Sequence, residues 1–77
     1  MPRLHNIPRN KVVSILEEYG YQEARHGTSH TVMVKLEMSS EGPRIAGKVA
    51  VPNHDPIVVR ELLYIIKSAE IPRRDFE

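Results

Sequence analysis

One run of residues constrains the fold more than any other. From His30 to Met38, Val32, Val34, Leu36 and Met38 alternate with Thr31, Met33, Lys35 and Glu37. Side chains of an extended chain point to opposite faces in turn, so this period of two predicts a strand with one apolar face. Ser39 to Pro43 follows as a hairpin loop, with Gly42-Pro43 as its turn signal. Arg44 to Val51 reads as the returning strand, with Ile45, Val49 and Val51 on one face and Arg44 and Lys48 on the other. Before the central strand, Tyr21 to Arg25 can form a short strand, and His26-Gly27-Thr28-Ser29 a polar turn.

The two ends read as helices. Val12, Ile15, Leu16 and Tyr19 follow the i, i+3, i+4, i+7 spacing of one buried helix face, which predicts a helix over 10–19. Pro8 suits its first turn, and Gly20 supplies a left-handed stop. Asp55-Pro56 predicts the start of a second helix, with Asp as cap and Pro in the first position. Val58, Leu62, Ile65, Ile66 and Ala69 would line its apolar face as far as Ala69, and Pro72 ends it. Phe76 is the one apolar residue of the charged tail and is expected to fold back on the core.

The order helix, three strands, helix predicts a single α+β domain over 1–77. Two helices cover one face of a three-stranded antiparallel sheet, as in double-stranded-RNA-binding domains. The other face stays open and is expected to carry Thr31, Lys35, Arg44 and Lys48. With 77 residues the chain buries only about 60% of its unfolded surface, so its packing must be efficient. The chain has no cysteine, which excludes a disulfide framework and any cysteine metal site. No run of residues is apolar enough to cross a membrane, and a soluble cytoplasmic protein is expected.

Charge alone does not name a partner. Eleven basic and ten acidic residues give a net charge of +1. Between 25 and 48, however, Arg25, Lys35, Arg44 and Lys48 face only Glu37 and Glu41, and His26 and His30 lie in the same stretch. A local basic face under a near-neutral total suits a polyanion. RNA brings its own nucleophile, the 2′-hydroxyl. A protein that cleaves it must move protons and stabilise charge on phosphate, tasks for histidine and for Arg, Lys or turn N–H groups. No metal or other cofactor is needed for that chemistry. His26 and His30 are four apart but not in a helix, so the helical two-histidine metal geometry does not apply. By parity His30 belongs with Val32 and Val34, which reads as a rim or core histidine; the residues alone do not select it as a catalyst.

Three segments in order make the selection. They are Ile15-Leu16-Glu17-Glu18-Tyr19-Gly20-Tyr21, Gly27-Thr28-Ser29-His30, and Val49-Ala50-Val51-Pro52-Asn53-His54, followed by a Leu/Ile-rich helix and a closing Ile71 to Phe76. In this order and spacing the chain resembles the HicA toxins over nearly its whole length. It departs from many members at Ile57-Val58-Val59-Arg60, where they carry Gly-Thr-Leu.

The resemblance implies a fold like that of double-stranded-RNA-binding domains. It also implies cleavage of messenger RNA by a histidine at the glycine turn, here His30, and neutralisation by a HicB-type antitoxin protein. A homodimer or a toxin–antitoxin hetero-oligomer is the expected assembly. In this reading His54 is a candidate second proton carrier, and Arg25, Gly27, Thr28, Ser29, Lys35, Arg44 and Lys48 are candidate RNA contacts. Two rival expectations are a non-catalytic RNA-binding module and a protein-interaction domain. The first is disfavoured by the apolar start of the last helix. The second is suggested by its Ile57, Val58, Val59, Leu62, Leu63, Ile65 and Ile66.

Overall fold

The computed structural model describes residues 3–77. Helix α1 spans Arg9–Glu18, strands β1, β2 and β3 span Tyr21–His26, His30–Ser39 and Gly42–Pro52, and helix α2 spans Val59–Ala69. A short 3-10 turn, Arg73–Phe76, closes the chain. The strands form one antiparallel sheet in the order β1-β2-β3. This is the α+β architecture expected from the sequence. Helix α1 packs near β1 and α2 against β3, and one core joins Val12, Ile15 and Leu16 to Tyr21, Met33, Val49, Val51, Leu62 and Ile65. Phe76 is buried in the same core. No described helix is long and apolar enough to cross a membrane.

The central strand buries the face opposite to the one its apolar pattern predicts. Thr31 and Met33, each 1% exposed, point at the helices, in register with Val51 and Val49. The set Val32, Val34, Leu36 and Met38 therefore lines the open face. Val34, flanked by Gln22 and Lys48, is still shielded, but Leu36 is exposed and Met38 is 78% exposed. Thr31 is thus not an open-face residue. Its hydroxyl is buried because it is satisfied: Arg9 donates to it at 2.9 Å and it donates to Asn53 Oδ1 at 2.7 Å.

A bulge accounts for a second difference. Between Lys35 and Leu36 the partner on β3 jumps from Gly47 to Ile45, leaving Ala46 as the extra residue. Ile45 is therefore turned away from Val49 and Val51 and is 60% exposed beside Leu36. Gly47 sits where a Cβ would come within 2.4 Å of the buried Tyr21 hydroxyl, so this close crossing needs glycine. The hairpin is also tighter than expected. Ser39 pairs with Gly42, so only Ser40 and Glu41 form the loop. Gly42 adopts a φ of 109°, which favours glycine.

The second helix starts at Val59, later than Asp55-Pro56 predicts. Asp55 does cap a helix, but it is α1: its Oδ1 accepts the Arg9 backbone N–H at 3.0 Å. In exchange, Asn6 Oδ1 accepts the backbone N–H of Val59 at 3.2 Å at the start of α2. Ile7 and Ile57, both buried, pair between the two caps through reciprocal backbone bonds of 3.1 and 2.8 Å. The starts of the two helices are therefore tied together, next to the turn that carries His30.

Candidate active site

His30 is the first residue of β2 and is exposed. The turn before it is held by hydrogen bonds on both sides. Gly27 donates its N–H to the His30 carbonyl at 2.9 Å, and a Cβ on Gly27 would lie 2.9 Å from that same oxygen. The glycine thus makes room for the carbonyl of His30. Asn53, just after β3, clamps the turn: its backbone N–H reaches Ser29 O at 2.9 Å and its side-chain amide reaches Gly27 O at 2.8 Å. Arg9 completes the frame, donating to Pro52 O at 2.8 Å, to Thr31 Oγ1 at 2.9 Å and to Asn53 Oδ1 at 3.1 Å. His26 Nδ1 joins at 2.9 Å from Thr31 Oγ1. Pro52 is the cross-strand partner of His30, so the frame grips both residues that bracket the imidazole backbone.

The ring is also oriented. The Ser29 hydroxyl lies 3.0 Å from His30 Nδ1, while Nε2 has no hydrogen-bond partner among the described residues. One open ring nitrogen on a pinned backbone is what a proton-transfer group requires. His30 lines a cleft of about 280 Å³ together with Ala50, Pro52, Arg60, Glu61 and Tyr64. Arg60 forms no ion pair with a described residue.

Glu61 is spoken for. Its Oε1 accepts the Val58 N–H at 3.0 Å, and its Oε2 lies 2.6 Å from His54 Nε2. Partial burial pushes the Glu61 carboxyl up, but the Val58 N–H and His54 outweigh it and leave the group below its ordinary value. The hydrogen bond to Glu61 raises His54 above its ordinary value. His54 Nδ1 meets Pro56 O at 3.1 Å, so both ring nitrogens donate and the imidazolium is favoured. His54 touches the cleft only through Glu61.

The other expected contacts are scattered. Arg25 and Lys48 are in register with Val32 and Val34 and so share the open face. Lys35 has the opposite parity, and its stem runs beside Gly20. Arg44, near the hairpin end, pairs with Glu37 at 2.6 Å. Thr28 and Ser29 remain at the His30 turn and are exposed. Arg9 and Asn53 as the frame, and Arg60 and Tyr64 as cleft walls, were not among the residues expected from the sequence. The i, i+4 spacing of Arg60 and Tyr64 on the outer side of an apolar helix was the available signal. No family model, curated protein or solved structure matches the chain.

Proposed function

We propose that the protein is a metal-independent endoribonuclease in which His30 carries the proton transfer, the activity its resemblance to HicA toxins implies. The observation that supports this most is His30 on a pinned backbone, its Nε2 without a hydrogen-bond partner among the described residues, at a cleft that also holds Arg60. In the proposed reaction His30 removes the 2′-hydroxyl proton and the 2′-oxygen attacks phosphorus. The bond from phosphorus to the 5′-oxygen breaks, that oxygen takes a proton from solvent, the His30 imidazolium returns its proton to solvent, and the product is a 2′,3′-cyclic phosphate. Arg60 offsets charge on the phosphate. His54, drawn toward its protonated form by the hydrogen bond to Glu61, stands behind the cleft as the candidate second proton carrier. Induced expression tests the reading. Growth arrest with loss of messenger RNA, abolished in His30→Ala, is the expected result; arrest that persists in the variant would overturn the role of His30.

A second reading, a protein-interaction domain, is favoured by the exposed Leu36, Met38 and Ile45 on the open face of the hairpin. The two readings are compatible, because a toxin of this kind is held by an antitoxin protein. Sedimentation of the protein beside a Met38→Lys/Ile45→Lys variant tests for self-association through that face. A shared monomer mass would leave a different protein as the partner.

A further inference from the structure

The cleft holds more than a proton-transfer group. Tyr64 lies one helical turn beyond Arg60 on α2, both line the cleft, and Tyr64 is 55% exposed. The other two tyrosines are engaged, Tyr21 in the core and Tyr19 with the carboxylate of Asp75. The Tyr64 hydroxyl makes no hydrogen bond among the described residues, and Ala50 and Pro52 add apolar surface to the same cleft. Of the charged groups there, Glu61 is paired with His54, while Arg60 forms no ion pair with a described residue. An aromatic face, a guanidinium and small apolar walls together match one unpaired nucleotide: stacking takes the base and Arg takes the phosphate.

We infer that this cleft is a nucleotide subsite for single-stranded RNA, in which Tyr64 stacks the base beside the cleaved bond and Arg60 holds a phosphate. The substrate class rests on the ribonuclease reading of His30. A duplex keeps its bases stacked in the helix and cannot fill the site. Tyr64 therefore selects unpaired RNA, and Arg60 supplies sequence-independent affinity.

The test is binding of a 2′-O-methyl oligoribonucleotide, which lacks the nucleophile and is not cut. Fluorescence anisotropy is read for the unaltered protein, Tyr64→Ala, Tyr64→Phe and Arg60→Gln. The expected result is affinity weakened about 5- to 100-fold in Tyr64→Ala and retained in Tyr64→Phe. Arg60→Gln should weaken binding and reduce the salt slope by about one. An oligonucleotide made abasic at the scissile position should erase the difference between the unaltered protein and Tyr64→Ala. Equal affinity of Tyr64→Ala and the unaltered protein would overturn the subsite, even where His30-dependent cleavage persists. Binding that depends on Tyr64 without any cleavage would keep the subsite and overturn the ribonuclease reading. Absence of binding by the unaltered protein would overturn the subsite.

Discussion

The Arg9 guanidinium donates to the buried Thr31 hydroxyl at 2.9 Å, joining the first residue of α1 to the residue after His30. The same side chain serves Pro52 O and Asn53 Oδ1, so its loss removes one hydrogen bond from each of three acceptors, of which Asn53 Oδ1 keeps that of the Thr31 hydroxyl. Arg9→Ala should lower stability by about 1–3 kcal/mol in urea unfolding. Arg9→Lys should recover only part, because an ammonium lacks the planar fork that meets all three. Cleavage should fall in both variants more than melting does, since the frame positions His30.

Gly27→Ala places a methyl 2.9 Å from the His30 carbonyl oxygen, which is backbone and cannot swing away. The turn must open. A stability loss of about 1–3 kcal/mol is expected, with a shifted His30 amide resonance and reduced RNA cleavage. Unchanged spectra and activity would mean the turn is looser than its hydrogen bonds imply.

Met33 and Met38 share a strand but face opposite ways, at 1% and 78% exposure. Met33→Ala should cost about 2–5 kcal/mol as a core truncation. Met38→Ala should change stability by less than about 0.5 kcal/mol. Chemical denaturation separates the two, and the reverse ranking would restore the face that the apolar pattern predicts.

That pattern shows which part of the site and fold was legible in the sequence. Element order, the hairpin and the turn delivering His30 follow from periodicity and glycine placement. The buried face of β2 does not, because the helices decide it. They land on Tyr21, Val49 and Val51, and a hydrogen-bonded threonine then faces the helices while Val32, Val34, Leu36 and Met38 line the other face, the last two exposed. Ile45 flips because of the bulge at Ala46, for which Gly47 was the only local signal. Asp55 was recognisable as a cap, but its helix is 46 residues away in the chain. Arg9 and Asn53 gain their meaning only when β3 ends beside α1.

His54 and Glu61 give the fold a pH window. His54 is raised by its hydrogen bond to Glu61, so its contribution is full below its ordinary value of 6.5 and is lost as pH rises through the raised value. Glu61 is lowered despite partial burial, so its contribution is present above its ordinary 4.5 and is lost as pH falls through the lowered value. The melting-temperature gap between the unaltered protein and His54→Gln should therefore be widest near pH 5–6, narrowing on both sides. A gap that does not vary from pH 4 to 9 would show that the pair is not formed.

The central claim is that His30 transfers the proton in RNA cleavage. The direct measurement is the cleavage rate of a single-stranded RNA by purified protein, with and without His30→Ala, in the presence of a metal chelator. His30 is exposed, so the variant should melt with the unaltered protein, within about 0.5 kcal/mol. Products ending in 2′,3′-cyclic phosphate are expected, with a rate about 10²–10⁴-fold lower in the variant. Equal rates in the two proteins would contradict the claim.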